Sequence, residues 1–538
     1  MALNESKPMD ILHSSIQTTF GGRILSSEQS RLQLYGKWFQ LCQSQHGSRC
    51  AVSKFPQLDA SFTHPLLLID VQKKLVTNAT PDYRYVALSY VWGRTKNTQL
   101  TSKNLKHFMT VGIPGDIPRT IQDAMLVVDA VGERFLWVDS LCIIQDETTH
   151  KQAQIAQMAN IFSNSVFTIV AAAGQDAHVG LWPSLKTEIY QQSVLRIGRH
   201  TLIELLDQSY KSSESHWEQD RKPSVSKYAW ESRGWTFQEI LCSRRAMVFT
   251  PVQAYWHCQE RDWLEETALE YAPPCALRFH TGPTETAVHF WSPNFNQFFK
   301  DADAMLPQYF RSIEDALVCY VKLVTEYTKR YLTNPSDGLN AFSGAVSVMQ
   351  GLMGRDFFWG LPEVEFGWAL AWSAPDWELH STNRSLTRPD ASDSLRRTGT
   401  PSWSWASWYL DVPSEKYVWF NECDPFWPSL PLPEIYFYRK GRDGTLVLIR
   451  QRNIKDIGIP RPYTELTVYT NGTEWYSSSD WKGQPTHIDS AITTGAPNGF
   501  VDTGIIQFWT STATLVVHRL FVGSGMSPAS RAIAESTT

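Results

Sequence analysis

The sequence predicts an α/β protein in which a domain built on a parallel β-sheet is followed by a helical region and a β-rich C-terminal part. Three observations carry this reading. Between Arg84 and Ala172 short apolar runs alternate with amphipathic helical stretches, and strands that are apolar throughout belong to sheets covered by helices on both faces. From Pro401 onward short β-favouring runs separated by turn residues replace the alternation. The 538 residues leave room for two to four domains at roughly 150 residues each.

The first 60 residues are polar and mixed, with helical spacing around Glu28 to Cys42, and read as a leader segment packed onto the rest. Residues 61–275 are expected to form the principal domain, 276–400 a helical region, and 401–538 a β-rich region ending in a Ser-, Ala- and Thr-rich disordered tail. Within the principal domain, Arg84 to Tyr90 (RYVALSY) is a buried strand ended by Trp92-Gly93. Asp116-Ile117-Pro118 opens a helix with Pro in its first turn, Ile121, Ala124, Met125 and Val128 on one face, and Gly132 as its stop. Phe135 to Val138 is a second strand, Lys151 to Phe162 a second helix, and Val166 to Ala172 a third strand. An irregular stretch runs from Gly174 to about Ser226. Arg233 to Leu241 then starts a third helix, and Ala246 to Phe249 with Ala254 to His257 suit a hairpin. Helical spacing returns in Ser312 to Tyr331 and Leu339 to Leu352, and strands are expected at Glu434 to Tyr438, Thr445 to Arg450 and Thr514 to Val522.

Composition narrows the function classes. A formal charge of -5 gives no general attraction to nucleic acid or anionic lipid, so neither is expected as a partner. No apolar run approaches the 18 or so residues of a membrane span, and the start MALNESKPMDILHSS lacks a signal-peptide pattern, so a cytoplasmic location is expected. The 22 Trp, 26 Phe and 20 Tyr are read chiefly as core. Eight cysteines without a C-x-x-C pair suit a reducing compartment rather than a disulfide scaffold.

In an open parallel sheet, ligands sit beyond the carboxyl ends of the strands. Those ends carry Ser89, Tyr90, Trp92 and Gly93 after the first strand, Asp139 and Ser140 after the second, and Gly174 to Asp176 after the third. Each also suits an ordinary role: Ser89 and Ser140 as turn formers, Asp139 as a cap, Trp92 as a lid on the core. The sequence contains no G-x-G-x-x-G after the first strand, no G-x-x-x-x-G-K-[ST], no H-E-x-x-H and no G-x-S-x-G, which disfavours classical dehydrogenase, P-loop, zincin and α/β-hydrolase readings. Cys242, His257, Cys258 and Cys275 match no zinc-finger spacing, and His257 and Cys258, adjacent on a strand, point to opposite faces; buried thiols and no metal are expected. Cys142, among Leu141, Ile143 and Ile144, reads as core more readily than as a nucleophile. Glu239 follows Trp235 by one helical turn, so an indole could desolvate its carboxylate, while a surface position or a salt bridge to Arg233 or Arg244 is the plain alternative.

Three blocks together, YVALSYVWG (Tyr85 to Gly93), LWVDSLCIIQD (Leu136 to Asp146) and SRGWTFQE (Ser232 to Glu239), resemble the signature of the fungal heterokaryon-incompatibility (HET) domain. Tyr327 to Gly344 and PSWSWASW (Pro401 to Trp408) resemble patterns that follow it. The resemblance implies a cell-death effector in non-self recognition or innate immunity and, through a remote likeness to Toll/interleukin-receptor (TIR) domains, a flavodoxin-like sheet. Some TIR domains cleave NAD with a glutamate in a W-x-x-x-E pattern. The likeness implies Glu239 as catalytic residue and Ser89, Tyr90, Trp92, Gly93, Asp139, Ser140, Arg233 and Trp235 around the substrate. NAD would be a substrate, with no cofactor required. The alternative is a non-catalytic module that self-associates or docks on a protein partner.

Overall fold

The computed structural model describes most of residues 21–182, 229–270 and 313–373, with segments within 2–4, 194–203, 400–407, 419–420, 436–449, 470–475 and 502–509. Met1–Thr333 with Asn340–Leu352 form one compact unit, and Asn334–Leu339 with Met353–Thr538 a second.

In the first unit the strands are β1 (Ala2–Asn4), β2 (Leu67–Asp70), β3 (Leu75–Asn78), β4 (Tyr85–Ser89), β5 (Phe135–Trp137) and β6 (Thr168–Ala171). They continue with β7 (Val194–Ile197), β8 (His200–Ile203), β9 (Arg245–Phe249), β10 (Ala254–Cys258) and β11 (Asp262–Leu264). Eight of them make one sheet in the order β11-β10-β9-β6-β4-β5-β2-β3. Its centre is parallel: Tyr85 pairs with Phe135, Ala87 with Trp137 and with Thr168, and Ile169 with Met247. Antiparallel pairs close both edges, β2 and β3 on one side and β10 and β11 on the other. The expected hairpin of Ala246 to Phe249 with Ala254 to His257 is the β9–β10 pair. Counting only the parallel strands, β4, β5, β6 and β9 stand in the order 2-1-3-4, the doubly wound arrangement whose topological switch lies between the first and third strands.

Every residue of β4 and β6 is buried, because helices cover both faces. On one face α1 (Glu28–Gln45) lays its aromatic stripe across the sheet: Tyr35 meets Phe249 edge-on, and Phe39 contacts Phe167 and Trp256. After α2 (Gly47–Ala51) and α3 (Leu105–Thr110), α4 (Arg119–Ala130) shares that face and buries Ile121, Ala124, Val127 and Val128. Pro118 sits one residue before the helix, in extended conformation, and Gly132 (φ 81°) ends it.

Past the single turn α5 (Asp139–Cys142), the segment expected as one helix is two, α6 (Thr148–Ala156) and α7 (Met158–Asn164). Gln157 leaves helical geometry (φ −105°, ψ 5°), which turns Met158, Ala159, Ile161 and Phe162 into the core, with Phe162 edge-on to Trp137. On the same opposite face lies α8 (Gly234–Cys242), tied to the sheet by Thr168 and Ser243, whose hydroxyls are 2.5 Å apart. The expected helices of the later region are α9 (Ile313–Thr328) and α10 (Ser343–Met353).

In the second unit, β12 (Phe357–Phe358) and β13 (Leu361–Pro362) form a hairpin whose two turn residues, Trp359 (φ 52°) and Gly360 (φ 85°), are both left-handed. The Pro401 to Trp408 block serves this turn: Ser404 Oγ donates to the Trp359 carbonyl at 2.7 Å, and Trp359 and Trp405 are fully buried. Tyr436–Gly441 pairs with Leu446–Leu448 and with Asp502–Trp509 in a three-stranded antiparallel sheet. The strand expected at Thr514 to Val522, the C-terminal tail and Cys275 lie outside the described residues.

Candidate functional site

Ser89 is the last residue of β4, on the face that α8 covers. That helix is buried nearly all round, from Thr236 through Cys242, which carries Glu239 into the interior with 7 % of its surface exposed. Its first residue must be small: a Cβ on Gly234 would lie 2.5 Å from Leu332 Cδ2. The Gly234 amide donates to the Tyr331 carbonyl at 2.7 Å, and the Tyr331 amide to that of Ser232 at 2.6 Å, which seats the helix start.

Ser89 Oγ donates to Glu239 Oε2 and accepts from Trp230 Nε1 at 2.7 Å. Around this chain the three signature blocks are cross-linked. Tyr90 Oη donates to Ser140 Oγ at 2.8 Å, and Trp92 Nε1 to Asp139 Oδ1 and Oδ2 at 3.0 and 2.9 Å. The Ser140 amide donates to Asp139 Oδ1 at 2.7 Å, and Arg233 Nη1 to the Tyr90 carbonyl at 2.7 Å. Arg330, just past α9, donates to Thr236 Oγ1 at 3.1 Å and lies over the Phe237 ring.

Burial dominates the electrostatics. It pushes the Glu239 carboxyl up to about 7, against the Ser89 hydrogen bond and the Arg233 charge, with Asp139 adding to the rise and Arg330 opposing it. Burial likewise pushes Asp139 up to about 6, opposed by Arg233 and by the hydrogen bonds from Trp92 and the Ser140 amide. The Tyr90 phenol is pushed well above its ordinary range by burial, then by Asp139, and burial lowers the Arg330 guanidinium. Two carboxyl groups poised near neutrality, beside two arginines at the carboxyl ends of parallel strands, make a site able to stabilise a cation or exchange a proton.

Of the residues singled out from sequence, Ser89, Tyr90, Trp92, Asp139, Ser140, Arg233 and Glu239 are thus brought together. Gly93 acts through its backbone. At φ 76° a Cβ there would lie 2.3 Å from Asp176 Cβ, so glycine lets the loop after the third strand close over the first. Trp235 is part-buried one turn before Glu239, but the indole hydrogen-bonded to the Ser89–Glu239 pair is that of Trp230. Trp230 and Arg330 were not legible as site residues: the first stands outside the W-x-x-x-E pattern, and the second lies about 90 residues beyond α8 with no local motif.

Cys142 is a core thiol: it accepts from the Val138 amide at 3.4 Å, and burial pushes it up to about 12. His257 turns to Asp262 at 2.7 Å, while Cys258, on the other face of the strand, meets His46, Cys42 and Cys50. Cys242 is buried at the end of α8, away from that group. A cleft of about 430 Å³, lined by Tyr83, Arg84, Asn164, Val166, Arg244 and Arg245, lies at the opposite, amino ends of the parallel strands and contains none of the network residues.

The fold and site define a doubly wound α/β domain with a buried carboxylate network at its topological switch point. Residues 85–239 match the family model described as Heterokaryon incompatibility protein (HET). The match runs from the first residue of β4 to Glu239 and so identifies a HET domain over this part of the chain. No curated protein and no solved structure matches the chain. No helix among the described residues is long and apolar enough to cross a membrane.

Proposed function

We propose that this HET domain is a cell-death effector that acts by hydrolysing NAD at the Glu239 site. The observation that carries the proposal is the Ser89–Glu239 pair at the switch point, where doubly wound sheets bind nucleotides. In the reaction the bond between ribose C1′ and the nicotinamide nitrogen breaks, and its electron pair leaves with nicotinamide. Water then bonds to C1′ and releases one proton, giving ADP-ribose. The ionised Glu239 would stabilise the cationic ribose, which is electrostatic preorganisation, and Ser89 and Arg233 favour that ionised form.

The test is incubation of purified full-length protein with NAD, followed by chromatography for nicotinamide and ADP-ribose. The parent should release nicotinamide with a rate that rises with pH through about 7, as the carboxylate forms. Glu239→Gln should lower that rate by about two to three orders of magnitude while leaving the circular dichroism spectrum unchanged. Equal rates in parent and variant would sink the proposal.

One observation favours a second reading. Glu239, enclosed by Ser89 and α8 with 7 % exposure, is placed as a clasp between the first and third signature blocks would be. On that reading the domain self-associates or docks on a protein partner without chemistry, NAD stays intact at any protein concentration, and Glu239→Gln changes stability alone.

A further inference from the structure

We infer that Cys42, His46, Cys50 and Cys258 form a four-ligand zinc site that ties the helix pair α1–α2 to the antiparallel edge of the sheet. Cys42 lies in the last turn of α1, Cys50 in α2, and His46 in the joint between them. The His46 amide still donates to the Cys42 carbonyl at 3.2 Å, so the turn continues past the end of α1, and Gly47 (φ 51°) then bends the chain. Cys258 is the last residue of β10. The four ligand atoms all lie within 4.8 Å of one another, and Cys258 Sγ is 3.4 Å from His46 Nδ1. Zinc bonds of about 2.3 Å to sulfur and 2.0–2.1 Å to nitrogen, at tetrahedral angles, put ligand atoms roughly 3.5–3.8 Å apart. The cluster therefore needs only small rotations of its side chains to close on the ion.

The surroundings are those of a thiolate centre. Arg245 is 4 % exposed, has no carboxylate partner among the described residues, and directs Nε at Cys42 Sγ at 3.3 Å. Three thiolates on one Zn²⁺ carry a net charge of −1, which this buried guanidinium balances. The His46 ring lies 5.4 Å from that of Trp263, which holds its orientation. Without metal the Cys258 thiol donates to the Arg261 carbonyl at 3.3 Å, a bond that ionisation gives up for the metal. Three soft sulfurs and one imidazole favour zinc over magnesium or calcium. Four protein ligands leave no open position, so the site is structural.

Spacing along the chain does not announce it. Three ligands fall within nine residues and the fourth comes some 200 residues later, so the cluster matches no finger or ribbon pattern, and the proposed site runs against the sequence expectation of no metal. Zinc at this position joins the start of the chain to the far edge of the sheet.

The full-length protein, expressed with zinc in the medium, should retain one equivalent of zinc by elemental mass spectrometry, and a chelator should lower its Tm by several degrees. Cobalt(II) substitution should give a thiolate-to-cobalt charge-transfer band and the intense visible bands of a tetrahedral ion. Cys258→Ser and His46→Ala should lose the zinc, whereas Cys319→Ser, a buried thiol outside the cluster, should keep it. If the variants fail to fold, the cobalt spectrum of the unmutated chain decides alone. A chain supplied with zinc that holds none and gives no cobalt–thiolate band overturns the inference. So does an intact mass two hydrogens lighter, which marks a Cys–Cys bond, or zinc retained equally by Cys258→Ser and His46→Ala.

Discussion

Trp230 fixes the direction of a proton. An indole N–H can only donate, so Ser89 Oγ accepts it and turns its own hydrogen to Glu239 Oε2. The carboxyl thus has a committed donor, yet burial still holds it at about 7 against an ordinary 4.5. The folded protein therefore binds more protons than the unfolded chain between those two values, and its stability falls as pH rises from about 4.5 to about 7. Asp139 adds a slope of the same sign between 3.8 and about 6. At one pKa unit per ~1.4 kcal/mol, the Glu239 contribution is of the order of 3 kcal/mol. Urea midpoints measured at pH 5 and pH 8 should accordingly converge in Glu239→Gln relative to the parent; an unchanged difference would show that Glu239 titrates normally. Ser89→Ala removes a bond that favours the ionised form, so the rise in nicotinamide release should move to higher pH in that variant.

Among the elements, the central strands and helices were legible because burial on both faces leaves β4 and β6 largely apolar and gives α4 the buried stripe Ile121, Ala124, Met125 and Val128. The break at Gln157 was not, since Ile155, Met158, Ala159 and Phe162 keep helical spacing across it. The site was legible in parts. Polar residues at the strand ends marked Ser89 and Asp139, and the one-turn spacing from Trp235 marked Glu239, although the indole bonded to the Ser89–Glu239 pair is that of Trp230. Trp230, Arg330 and the cysteine cluster depend on chain returns that no local pattern encodes. Some 60 residues separate β6 from Trp235, yet the chain comes back to put Glu239 on Ser89. Two substitutions test the elements. Ile169, opposite Leu88 and fully buried, should not tolerate Asp: an uncompensated buried charge costs about 3–5 kcal/mol, enough to abolish the cooperative melting transition. Gly93→Ala combines a left-handed backbone with the 2.3 Å approach to Asp176, and should destabilise by about 1–3 kcal/mol. A Tm equal to the parent's would show that the loop after β6 is not seated on Gly93.

Across the whole molecule, the first unit contains the HET domain, the covering helix α1 and the cysteine cluster, and the second has its own tryptophan-rich core around Trp359 and Trp405. The signature blocks lie far apart in sequence and meet in one hydrogen-bonded network, and the central claim is that this network consumes NAD to kill the cell. The measurement that tests it most directly is inducible expression of the parent and of Glu239→Gln in the same host, with total NAD and viability followed in time at matched protein levels. NAD should fall before viability in cells making the parent, and neither should fall in cells making the variant. Death that proceeds equally in both, with NAD undiminished, would contradict the account and leave the domain as a docking module.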